Sequence, residues 1–117
     1  MSYEYKIPKL NSEAFGSNRY VATPLRKELA ALLKEHNKII IDFENIQSAT
    51  QSWVDELLGK FILVEGKVFL HKVKFKNCTD TIQSLIRFVV EERVNDYAET
   101  QRKYQEESFL PTGSLQI

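Results

Sequence analysis

The sequence predicts an α/β domain, with a narrow, mostly parallel or mixed sheet packed by about three helices. Three observations carry that expectation. Ile39-Ile40-Ile41 is an unbroken β-branched run, the pattern of a strand buried on both faces, and such strands are typical of parallel pairing. A short polar loop then leads straight into Trp53, Val54, Leu57, Leu58, Phe61 and Ile62, spaced as the buried face of an amphipathic helix. Strand-like and helix-like segments also alternate along the chain with short connections, which favours right-handed crossovers between parallel strands.

Each element has its own signal. From Tyr3 to Pro8, aromatic or aliphatic residues (Tyr3, Tyr5, Ile7) alternate with Glu4 and Lys6, so a strand with one solvated face is expected. Residues 9–18 are polar and read as a loop. Thr23-Pro24 has the form of a helix start, a hydroxyl cap followed by proline where its missing N–H costs nothing. Leu25, Leu29, Leu32 and Leu33 form that helix's apolar stripe, and His36-Asn37 ends it before the Ile39 strand. In the second helix, 100° per residue places Ser52, Asp55, Glu56 and Gly59 on the side away from the core. Lys67 to Phe75 reads as a third strand with Phe69, His71, Val73 and Phe75 on one face. Asp80 and Gln83 have capping-box spacing, and Ile82, Leu85, Ile86, Val89, Val90, Val94 and Tyr97 form the stripe of a third helix. Residues 99–107 form a projecting helical end or a frayed tail. A weak fourth strand fits residues 9–16 or the C-terminal tail. The organisation is one domain over residues 1–107 with a tail over 108–117.

Composition narrows the function classes. Apolar residues make up 43% and charged residues 27% of the 117 residues, which places the chain among globular rather than disordered proteins. Lys plus Arg and Asp plus Glu number 16 each, so no global field draws in nucleic acid or an anionic membrane. No apolar run, Phe61 to Val64 included, is long enough to span a bilayer, and the first residues lack the pattern of a secretion signal. The single cysteine, Cys78, and two histidines, His36 and His71, do not make a disulfide or a metal site. No cofactor is expected, and the expected location is cytoplasmic.

The candidate site is the loop between the central strand and the second helix. Asp42 ends the strand, where ligands bind in open α/β sheets; its alternative role is to cap a loop through backbone N–H groups. Ser48, Thr50 and Ser52 lie at a helix start, where free N–H groups and the positive dipole end favour anions or a phosphoryl group. Helix capping is the competing role: Ser48 with Gln51, or Ser52 with Asp55, fits the hydroxyl-x-x-acid or amide pattern. Arg19 could reach an anion there or pair with an acid such as Asp42. Asp55 and Glu56 diverge around the helix, so they suit a solvated or partner-docking surface better than acid–base catalysis. Lys60, Lys67, Lys72, Lys74 and Lys76 cluster near the third strand; with no net charge, they read as guards of an edge strand rather than a nucleic-acid patch.

Phe15-Gly16-Ser17-Asn18-Arg19, the Ile39–Phe43 strand with Glu44-Asn45-Ile46, and Ser52-Trp53-Val54-Asp55-Glu56-Leu57-Leu58-Gly59 together resemble a family of small bacterial STAS-like proteins. The resemblance spans roughly residues 13–95 and implies a STAS-like α/β fold. In the wider STAS superfamily, anti-sigma-factor antagonists are phosphorylated on a serine between the central strand and its helix. By position that role falls on Ser52, with Thr50 where the antagonists carry Asp. Gln51 and Trp53 replace the small residues that flank the phosphorylated serine there. The resemblance also implies company with signalling ATPases of the histidine-kinase type.

No nucleophile–base pair or metal set can be assembled from the sequence, so no enzyme is expected. The expected function is a regulatory module that docks a partner protein along Ser52–Glu56, with a phospho-switch in the preceding loop. An anion- or nucleotide-binding sensor built from Arg19, Asp42 and the Ser48–Ser52 loop is the alternative. Membrane and nucleic acid are not expected partners, and self-association is left open.

Overall fold

The computed structural model describes the backbone of residues 2–116 and the side chains of residues 2–104. Strands β1 (Ser2–Lys6), β3 (Lys38–Asp42) and β5 (Val73–Lys76) form one parallel sheet in the order β1-β3-β5. Two short strands, β2 (Phe15–Gly16) and β4 (Ser48–Ala49), pair in parallel beside it. The fourth strand expected within residues 9–16 is therefore β2, though it builds a separate ribbon. The helices are α1 (Arg19–Glu35), α2 (Gln51–Val54), α3 (Lys60–Glu65), α4 (Val68–Lys72) and α5 (Asp80–Gln116). A π-helical segment, Asp55–Gly59, joins α2 to α3, so residues 51–65 form one continuous rod. This is the expected α/β architecture, a small parallel sheet packed by helices. The expected tail over residues 108–117 lies outside the residues whose side chains are described.

Strand register explains the layering. Tyr5, Ile41 and Phe75 sit side by side on one face, and Glu4, Ile40 and Lys74 on the other. Because each new strand is added on the same side of the last, right-handed crossovers carry the helices over one face only. Tyr5, Ile39, Ile41 and Val73 are buried there against Leu25, Leu29, Trp53, Leu57, Leu58 and Ile86. The other face carries exposed ion pairs: Lys76 with Glu4 across the sheet at 2.8 Å, and Lys6 with Glu44 of the loop after β3 at 2.9 Å. The expectation that the isoleucine run is buried on both faces is thus corrected, since Ile40 is only half-buried.

Element boundaries shift where local bonds outrank the pattern. Helix α1 starts at Arg19 because the Asn18 side chain accepts from the Tyr20 and Val21 N–H groups, and Pro24 lies inside the helix rather than at its start. The segment expected as a strand from Lys67 begins as helix α4. There Phe69 is buried and stacks on Phe61 with ring centroids 4.9 Å apart. At α5 the cap is Thr79, whose Oγ1 accepts from Ile82 N–H at 3.2 Å, in place of Asp80. The lysines follow the edge-strand reading in part: β5 is an edge, and Lys60, Lys72 and Lys76 are each ion-paired to a glutamate.

Candidate functional site

The loop after β3 is fastened on both sides. Gln47 N–H donates to Ala14 O at 2.8 Å and Thr50 N–H to Gly16 O at 2.9 Å, so the β2–β4 ribbon fixes where the rod begins. Gly16 is required by contact rather than by torsion: a Cβ there would run into the Trp53 indole. Trp53 is fully buried, with its ring edge toward Phe43. The cap of the rod is Thr50, in place of the expected Ser48 or Ser52, its Oγ1 accepting from Trp53 N–H at 3.2 Å. Ser48 is half-buried, whereas Ser52 is exposed at the second position of the rod. Among the described residues the Ser52 hydroxyl makes no hydrogen bond.

One turn further along, Asp55 and Glu56 overturn their expected exposure: they are 7% and 2% exposed. The π-segment buries five consecutive residues, 55–59, between α1 and α5, so simple helical phase no longer applies. Cations from three elements compensate the burial. Arg93 of α5 donates to Asp55 through Nε at 2.6 Å and Nη2 at 3.0 Å. Arg19 of α1 reaches Asp55 at 3.4 Å and Glu56 at 3.2 Å. Glu56 also accepts from Arg26 Nε at 3.0 Å and from the Thr23 hydroxyl at 3.1 Å, and pairs with Lys60 at 3.1 Å. Burial opposes ionisation of Glu56, but bonds from Lys60, Arg26, Thr23 and Arg19 prevail and hold its pKa at about 2. The bond to Asp55 likewise keeps Arg93 firmly protonated. Two carboxylates so enclosed join α1, the rod and α5; at 7% and 2% exposure they offer a partner little surface on which to dock.

Asp42 and Arg19 do not complete an anion pocket with the loop. Asp42 is 1% exposed, its Oδ1 accepting from Glu44 N–H and Asn77 Nδ2, both at 2.9 Å. Burial would raise its pKa, yet these bonds, with Lys6 and Lys76 nearby, lower it. It is a loop-capping carboxylate, the alternative weighed from the sequence. Arg19 is engaged with Asp55 and Glu56 instead. Sequence reasoning missed Thr23, Arg26 and Arg93, although Arg19, Thr23 and Arg26 follow the i, i+4, i+7 spacing of a single helix face.

A family model described as a STAS-like domain of unknown function (DUF4325) matches residues 21–83. The chain belongs to this family. The matched span of the STAS-like domain runs from α1 into the first turn of α5, and contains Asp42, the Ser48–Ser52 loop, Glu56 and three of its partners, Thr23, Arg26 and Lys60. Arg19 and Arg93, which hold Asp55, lie outside it. No curated protein and no solved structure matches the chain. Among the described residues no helix is long and apolar enough to cross a membrane.

Proposed function

We propose that this STAS-like domain is a non-enzymatic regulatory module that docks a partner protein on the surface around Ser52, and that phosphorylation of Ser52 switches the docking. The observation that supports this reading is the division of labour between two hydroxyls. Thr50 caps the rod, which leaves the exposed Ser52 hydroxyl with no structural bond. A partner of the signalling-ATPase class would supply the phosphate: Ser52 Oγ takes the γ-phosphoryl group of its ATP, ADP leaves, and the hydroxyl proton passes to solvent.

Phosphate adds up to about two negative charges at the positive end of the rod. Asp55 and Glu56 would not repel it strongly, because Arg19, Arg26, Lys60 and Arg93 already neutralise them. The charge would therefore alter the exposed surface at Gln47, Gln51 and Ser52 while leaving the fold in place. The test is phosphopeptide mapping of the protein isolated from its native cells. Phosphate on Ser52 is the expected result; phosphate confined to other residues, or none under any growth condition, would refute the switch.

A further inference from the structure

We propose that the cavity between β1 and α1 is a binding site for an alkyl cation, an ammonium or guanidinium group on an aliphatic stem. The cavity holds about 280 Å³ and is walled by Tyr3, Tyr5, Glu28, Ala31, Leu32 and Glu35. That volume lies just below the usual range of small-molecule pockets, so it suits one extended side chain or a simple amine.

Its chemistry is one-sided. Tyr3 and Tyr5, two residues apart on β1, present aromatic rings, and Glu28 and Glu35, seven apart on α1, present carboxylates from one helix face. Among the described residues Glu28 has no ion pair, and the group facing Glu35 is the His36 imidazole, Nε2 4.0 Å away, whose ring stacks on Tyr3. Tyr5 is 7% exposed, and its hydroxyl has no hydrogen-bond partner among the described residues. Burial pushes the Tyr5 pKa up, and the neighbouring Glu28 carboxylate, by its charge and by attracting the hydroxyl proton, pushes the same way. Tyr5 thus remains a neutral hydroxyl able to accept from a cation.

A cation is attracted by the ring faces and by both carboxylates, and an aliphatic stem matches Ala31 and Leu32. An anion would meet the two carboxylates, and a neutral ligand would leave them and the Tyr5 hydroxyl unmatched. Tyr3 lies level with Ile39 at the start of β3, whereas the Ser48–Ser52 loop follows the other end of that strand. The site is accordingly independent of the docking surface proposed above.

The experiment titrates the full chain with n-butylammonium, with Nα-acetyl-lysine N-methylamide, and with the neutral norleucine analogue of the latter, followed by backbone amide NMR shifts. Both cations should give saturable shifts confined to residues 3–5 and 28–36, and the norleucine compound none. Glu28→Gln, an exposed position, and Tyr5→Phe should each weaken binding about three-fold or more. If Tyr5→Phe fails to fold, Glu28→Gln decides alone. Tighter binding of the lysine compound than of butylammonium identifies a protein side chain as the ligand, and equal binding identifies a free amine. Absent or scattered shifts, equal binding of norleucine, or unchanged affinity in Glu28→Gln would overturn the site.

Discussion

Replacing Glu56 with Gln keeps the shape of the side chain and removes its charge from the middle of the α1–rod–α5 junction. The parent carboxylate has an ordinary pKa of 4.5 depressed to about 2, because the bonds from Lys60, Arg26, Thr23 and Arg19 outweigh its burial. A depressed carboxylate stabilises the fold fully above its unfolded pKa, and that stabilisation is lost as pH falls through the folded value. At 1.36 kcal/mol per unit the difference corresponds to about 3 kcal/mol. Arg19, Arg26 and Lys60 keep 41%, 26% and 48% side-chain exposure, so they can turn toward water once the charge is gone. The loss at pH 7 should therefore be about 2–3 kcal/mol, at or below the low end for breaking a buried pair. Urea denaturation of parent and Glu56→Gln from pH 7 to pH 3 measures the difference directly. The gap should shrink to roughly 40% of its pH 7 value by pH 3. Equal stability at pH 7, or a gap that does not change with pH, would refute the electrostatic account of this cluster.

Two further substitutions probe the packing around the rod. Trp53→Ala empties the space over Gly16 and beside Phe43 and should cost about 3–5 kcal/mol in urea denaturation; a loss under about 1 kcal/mol would contradict the packing described for the indole. In Gly59→Ala the new methyl group collides with the Asp55 carboxylate that Arg93 holds, so overpacking of about 1–3 kcal/mol should exceed the gain of up to about 1 kcal/mol in helix propensity. A variant as stable as the parent would show that the π-segment yields without disturbing that pair.

Much of the fold was legible because it rests on local pattern. The isoleucine run, the Trp53–Ile62 stripe and the Leu25–Leu33 stripe each signal an element without reference to the rest of the chain. What was not legible depends on residues distant in sequence. Asp55 and Glu56 look solvated on a helical wheel, since the arginines that permit their burial lie 30 or more positions away on α1 and α5. The helix at residues 68–72 was hidden because Phe69, His71 and Val73 satisfy the strand period, while the contact Phe69 makes in the helix is with Phe61, which that period does not reveal. The one-sided sheet follows from strand order, which periodicity does not encode, and so Ile40 could not be told from its neighbours. At the candidate site, the hydroxyl cluster was visible in the sequence, but which hydroxyl caps and which stays uncommitted depends on the loop geometry set by the β2–β4 ribbon.

The most direct test of the regulatory reading compares the parent with Ser52→Ala and Ser52→Asp in quantitative capture of the protein's partner from native cells. Ser52 is exposed and its hydroxyl has no hydrogen bond among the described residues, so both variants should melt within a few degrees of the parent. The account predicts opposite effects on partner recovery, one variant retaining the complex and the other losing it. Recovery equal to the parent in both variants, with the fold intact, would contradict the claim that Ser52 controls docking.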